Sequence, residues 1–119
     1  MRKRIHVVED DEDIRFIIDF ILKDANFEVE LSATASHFRE AIKTSKPDLF
    51  LLDIMLPDGD GRDICQSLKN DPDTKHIPVI MMSAHATESG IVETYCADSF
   101  IRKPFDIDQF LGQINSYLN

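Results

Sequence analysis

Cysteine is scarce in this chain: only Cys65 and Cys96 occur among 119 residues, and they have no metal-ligand spacing. Both read as reduced structural cysteines, which argues against a disulfide framework and against a cysteine-based metal site. Long apolar runs are missing as well, and no stretch approaches the roughly 20 residues that a membrane helix needs. Met1-Arg2-Lys3-Arg4 is basic, but only a strand-length apolar segment follows before a cluster of acids, which is not the pattern of a signal peptide. Positive charge is in deficit, with 13 Lys+Arg against 22 Asp+Glu and a formal net charge of -9. That balance argues against nucleic acid or an anionic membrane as a direct partner. Linkers, repeats and low-complexity segments are also lacking. What remains is one acidic domain over residues 1–119, expected in the cytoplasm and large enough to bury about 65% of its unfolded surface.

The chain does contain short apolar runs that end in charge. Leu49-Phe50-Leu51-Leu52 runs into Asp53, and Pro47-Asp48 and Pro57-Asp58-Gly59 bound the segment. A run this apolar predicts a strand buried on both faces of a parallel sheet. A carboxylate at its exit is costly unless it is used or compensated. Ile5-His6-Val7-Val8 similarly runs into Glu9-Asp10-Asp11, Val79-Ile80-Met81-Met82 into Ser83, and Phe100-Ile101 into Arg102-Lys103-Pro104. In a parallel sheet these polar ends gather at one edge, where open α/β sheets bind ligands.

Helical patterns alternate with the strands, which predicts βα units. Ile14, Ile17, Ile18, Ile21, Leu22 and Ala25 repeat at helical spacing behind Asp11, Glu12 and Asp13, where the dipole favours anions. Glu28 to Leu31 reads as a short strand. Phe38, Ala41 and Ile42 mark a second helix capped by Ser36 or Thr34. Asp58-Gly59-Asp60-Gly61 is a turn into a helix around Ile64 and Leu68. Thr87 to Cys96 contains Gly90 and middling helix formers, so a fourth helix there is expected to be short or irregular. Ile107, Phe110, Leu111, Ile114 and Leu118 form the stripe of a last helix, with Asp106 as N-cap and Gln109 placed for a capping box.

Three carboxylates at one sheet edge, Glu9, Asp10 and Asp53, repel one another. Each pair about 4 Å apart costs on the order of 4 kcal/mol at an effective dielectric near 20. A hard divalent cation relieves this, and Mg²⁺ prefers few carboxylates, several waters and phosphoryl oxygens. Asp53 could then act as a nucleophile toward phosphorus, with Lys103 and Ser83 meeting the charge that spreads over the equatorial oxygens.

The residues carrying this argument resemble the receiver domain of two-component response regulators, the CheY-like family. The matching segments are Val8-Glu9-Asp10, Asp53-x-Met55-x-Pro57-x-x-Asp60-Gly61, Ser83-Ala84 and Lys103-Pro104, in order over nearly the whole chain. The resemblance implies a doubly wound sheet of five parallel strands in order 2-1-3-4-5 with five helices. It implies phosphorylation of Asp53 by a histidine kinase or histidine phosphotransferase. It further implies Mg²⁺ held by Asp10, Asp53 and the Met55 carbonyl with Glu9 acting through water, phosphoryl oxygens held by Ser83 and Lys103, and Phe100 as a rotamer switch. His85, two residues past Ser83, is a candidate modulator of dephosphorylation. Phe16 and Phe20, opposite the apolar stripe of the first helix, are either partly covered aromatics or a docking patch.

The chain also departs from the family. From Ser83 to Lys103 it is about two residues shorter than is usual there, and Cys96-Ala97 stands where Gly-Ala is common, which puts the customary output face in doubt. With no effector domain after Asn119, output is expected through a downstream protein, by a monomer or weak dimer. Alternatives are the receiver portion of a larger hybrid kinase or DNA-binding regulator, and an inert receiver. An aspartate-nucleophile phosphatase of the haloacid dehalogenase type is disfavoured, because Met55 stands where that family needs a second acid. A calcium loop at Asp58–Asp63 fails because Asp63 and Lys69 occupy the positions of its glycine and glutamate.

Overall fold

The computed structural model of the protein describes residues 2–83, 97–103 and 106–118. In chain order these form β1 (Arg4–Val8), α1 (Glu12–Asp24), β2 (Glu28–Ser32), α2 (Ala35–Thr44), β3 (Leu49–Asp53), the short strands β4 (Met55–Leu56) and β5 (Gly59–Asp60), α3 (Gly61–Asn70), β6 (Val79–Ser83), β7 (Ser99–Arg102) and α4 (Ile107–Leu118). The helix expected between Thr87 and Cys96 lies outside the described residues, as does His85.

Five strands pair in parallel in the order β2-β1-β3-β6-β7, and β4 and β5 form a separate antiparallel ribbon. Since β6 and β7 are the fourth and fifth strands of the main sheet, this is the parallel sheet that the apolar runs predicted, in the doubly wound 2-1-3-4-5 order that the resemblance implied. All five residues of β3 are buried, because alternate side chains enter different cores. Leu49 and Leu51 join Ile5, Val7, Ile80 and Met82 against Ile18 and Leu22 of α1 and Phe110 and Ile114 of α4. Phe50 and Leu52 join Val8, Val79 and Met81 against Phe38 of α2 and Ile64, Cys65 and Leu68 of α3. Each fully buried Leu, Ile or Phe contributes about 1.5–3 kcal/mol relative to exposure.

Polar side chains close the helix starts. Asp11 accepts from the Ile14 amide at 3.0 Å, Thr34 from His37 at 3.0 Å, and Asp60 from Arg62 at 2.8 Å. Asp106 accepts from Asp108 at 2.8 Å and Gln109 at 3.1 Å. Of the two caps expected for α2, Thr34 is the one used, and Ser36 is already inside the helix. Ile17 and Ile107 leave their expected stripes and are exposed. Ile17 lies beside Phe16 on the outer side of α1, and Ile107 is the first residue of its helix.

Candidate functional site: an acidic cleft at the carboxyl edge of the sheet

Strand register assembles the site before any side chain is considered. Val8 pairs with Leu52, so Glu9 and Asp53 leave adjacent strands side by side, about 4.8 Å apart in backbone spacing. Asp53 pairs with Met82 and Ser83 with Arg102, which brings Ser83 and then Lys103 to the same edge. The Lys103 amide donates to the Ser83 carbonyl at 2.9 Å, extending the β6–β7 ladder by one residue. From β1 the chain leads to β2 on one side and to β3 on the other, so the cleft lies at the switch point of the sheet.

The cleft has a volume of about 340 Å³ and is lined by Glu9, Asp10, Asp11, Ile14, Asp53, Met55, Ser83 and Lys103. Glu9 is 1% exposed and Asp53 7%, whereas Asp10 stands in solvent. One carboxylate oxygen from each of these three acids lies within 4.8 Å of the others. At that separation each charged pair costs about 3–4 kcal/mol at an effective dielectric near 20. The Lys103 ammonium offsets part of this, donating to Glu9 Oε1 and, at 3.2 Å, to Asp53 Oδ2. Burial pushes the Glu9 carboxyl above the usual range, with the Asp53 charge adding to the shift and the Lys103 hydrogen bond opposing it. Burial works against the Lys103 charge, yet its two carboxylate partners outweigh this and raise its pKa. The donor set is all oxygen, which suits a hard cation such as Mg²⁺ better than zinc or copper.

Met55 projects its side chain outward, 63% exposed, while its amide approaches Asp53 Oδ1 at 3.4 Å. The ribbon after Asp53 is held tightly at its end. The Gly61 amide donates to the Ile54 carbonyl at 2.7 Å, and a Cβ on Gly61 would stand 2.1 Å from the Asp53 carbonyl oxygen. Only glycine tolerates such an approach.

The six residues expected to act at phosphorus or metal (Glu9, Asp10, Asp53, Met55, Ser83 and Lys103) are thus brought together. Phe100 is not in the cleft; it is half-buried and packs against the α2–α3 core. Phe16 and Phe20 are 70% and 65% exposed on α1, beside Ile17 at 50%. Two contributors have no place in the motif argument. Arg15 donates to the Glu9 carbonyl at 2.9 Å and the Asp10 carbonyl at 3.3 Å. Asp58, expected as a turn or cap residue, accepts from the Ala35 and Ser36 amides of α2 at 2.8 and 3.0 Å. These hydrogen bonds hold the Asp58 carboxyl below the usual range. Both act on backbone groups, which leave no residue-type signature. The available signals were an arginine one turn after the acid pair and a carboxylate in the turn after Asp53.

A doubly wound α/β domain with an acidic, lysine-closed cleft at its switch point is a defined class of protein. Residues 5–115 match the response regulator receiver domain, and the chain belongs to that family. It is 31% identical over 99% of its length to the phosphate regulon transcriptional regulatory protein PhoB of Rhizobium meliloti, covering 53% of that protein. A receiver domain protein (CheY-like) from Methanospirillum hungatei superposes with a TM-score of 0.90 at 30% identity, covering 99% of this chain and 94% of that one. The signal receiver domain of a signal transduction histidine kinase from Syntrophus aciditrophicus gives 0.89 at 27% identity, covering 98% and 89%. The chain spans about half the length of the curated relatives it matches. It is a receiver domain homologous to the response regulators of two-component systems.

Proposed function

We propose that Asp53 is the phosphoryl acceptor of this receiver domain, taking its phosphoryl group from a phosphohistidine on a histidine kinase or phosphotransferase. An Asp53 carboxylate oxygen forms the new bond to phosphorus as the bond to the donor imidazole nitrogen breaks. Lys103 holds one phosphoryl oxygen, and Ser83 donates its hydroxyl to another. Asp10, Asp53 and the Met55 carbonyl would hold Mg²⁺, with Glu9 acting through water. The ion supplies positive charge against the developing negative charge on the equatorial oxygens. Phe100 follows the change as a rotamer switch, and the exposed Phe16 and Phe20 form part of the docking surface for the phosphodonor. Output passes to a downstream protein effector from a cytoplasmic, monomeric or weakly dimeric domain. The domain assists its own phosphorylation and dephosphorylation without being an enzyme acting on other substrates.

The observation that carries this reading is the meeting of three carboxylates within 4.8 Å with Lys103 on Asp53. The test is intact mass after incubation with acetyl phosphate and Mg²⁺. The unaltered chain is expected to gain one phosphoryl group and Asp53→Asn none. No gain in the unaltered chain supports an inert receiver instead.

A further inference from the structure

Arg15 lies in the first turns of α1, and its guanidinium turns back over the helix start to the connection from β1. Through Nη1 it donates to two consecutive carbonyls, Glu9 at 2.9 Å and Asp10 at 3.3 Å. These oxygens belong to the peptide units of the two acids that meet Asp53 in the cleft. The same connection is held at other points. The Glu9 amide donates to the Ser32 carbonyl at 3.0 Å, the Asp11 amide to Glu9 Oε2 at 3.1 Å, and the Arg15 amide to the Asp11 carbonyl at 2.9 Å. Glu9 is therefore fixed by its strand, its side chain and its carbonyl. Among the described residues, the exposed Asp10 is tied from outside the turn by its carbonyl bond to Arg15.

We infer that Arg15 is a positioning residue for the acid pair, fixing the Glu9 and Asp10 peptide units so that both carboxylates face Asp53. This rests on the reading of the cleft as a Mg²⁺-dependent phosphoryl acceptor. Arg15 has two opposing effects on a bound cation. Its positive charge repels a cation in the neighbouring cleft, so loss of the charge alone tightens binding. Its hydrogen bonds hold the ligands in place beforehand, so loss of the bonds frees the Asp10 backbone and weakens binding. The sign of the change therefore separates a charge role from a positioning role. Both bonds leave the one nitrogen Nη1, and lysine keeps the charge but sets its ammonium one atom nearer the backbone on a more flexible stem, short of the two carbonyls.

The experiment is calorimetric titration of the full chain with Mg²⁺ for the unaltered protein, Arg15→Met and Arg15→Lys, with melting in EDTA to confirm folding. Arg15→Met is expected to raise the Mg²⁺ Kd about fivefold or more despite the lost repulsion, and Arg15→Lys to raise it as well. The Mg²⁺ concentration for half-maximal acyl phosphate formation should rise by the same factor. A Kd that is unchanged or lower in both variants overturns the inference. If Arg15→Met does not fold, Arg15→Lys decides alone. If the unaltered chain binds no Mg²⁺, the reading of the cleft falls and this inference with it; if it binds and the variants bind equally well, only the role of Arg15 falls.

Discussion

His6 places a titratable ring in a fully buried position of the first strand. Its Nε2 meets Ser32 Oγ at 2.7 Å, and the same hydroxyl meets Nδ1 of His37 at 2.9 Å. The ring packs edge-on against Phe38, with centroids 4.8 Å apart. Among the described residues Nδ1 has no hydrogen-bond partner, and the Glu30 carboxylate stands 3.9 Å away. Burial, with the charge of His37 adding to it, lowers the His6 pKa from 6.5 to about 4. Between those values the unfolded chain binds a proton that the native protein refuses. The stabilising contribution is complete above pH 6.5 and is lost as the pH falls toward 4. It amounts to about 3 kcal/mol in all, at about 1.4 kcal/mol per pH unit where steepest. Urea unfolding of the unaltered protein and of His6→Gln between pH 7.5 and 4 should show the two stabilities converging in acid. Parallel curves would mean that other groups carry the acid sensitivity.

Helix α1 has two different sides. Ile18, Ile21 and Leu22 are buried against the sheet, while Phe16, Ile17 and Phe20 form an exposed apolar row. A contiguous apolar row of this kind marks an interaction surface more often than a stray exposed residue does. Phe16 also borders a shallow cleft with Glu12, Asp13, Arg15, Asp19 and Leu31. Because these aromatics contribute little to the core, Phe16→Ser with Phe20→Ser should change stability by no more than about 0.5 kcal/mol per site. Phosphorylation by acetyl phosphate should be unchanged, whereas transfer from a phosphohistidine protein should slow at least several-fold. Equal slowing with both donors would place the effect in the cleft; no slowing with either would remove α1 from docking. The ribbon of β4 and β5 is an element of another kind. It is joined to α2 through Asp58 and to the end of β3 through Gly61, so the segment after Asp53 is fastened at its turn and at its close.

At the scale of the molecule, a cation held by the acid cluster, as proposed, would link metal binding to folding. A cation bound by the native cleft and not by the unfolded chain stabilises by about 2.7 kcal/mol at one hundred times its Kd. The melting temperature should therefore rise with Mg²⁺ and return in EDTA, with a smaller rise in Asp53→Asn than in the unaltered chain. An equal rise in both would place the cation elsewhere. The sheet was legible because four of its five strands, all but β2, contain a compact apolar run that exits into a polar or charged group. Those ends are also why Glu9, Asp53, Ser83 and Lys103 could be named before their neighbours were known. Arg15 was not legible, since a guanidinium bound to carbonyls looks in sequence like any surface arginine on a helix. Thr34 and Ser36 were equally good caps on residue type, and the extended backbone at Thr34 decided between them. Ile17 fitted the period of α1, but the buried stripe runs through Ile18, Ile21 and Leu22 and leaves Ile17 half exposed beside Phe16.

Strand β3 is hydrogen-bonded on both sides, to β1 and β6, and every one of its residues is buried. Such a strand cannot shift by a fraction of an ångström without moving two others and both cores. A bulky dianion attached to Asp53, as proposed, would therefore push against something that does not yield. The added volume and charge would have to be absorbed by the surrounding connections: the short β4–β5 ribbon that follows, the Lys103 side chain and the peptide units that Arg15 holds. As the proposed acceptor, Asp53 would behave as an anvil, and the direction in which the domain changes shape would be set by which of those connections gives first.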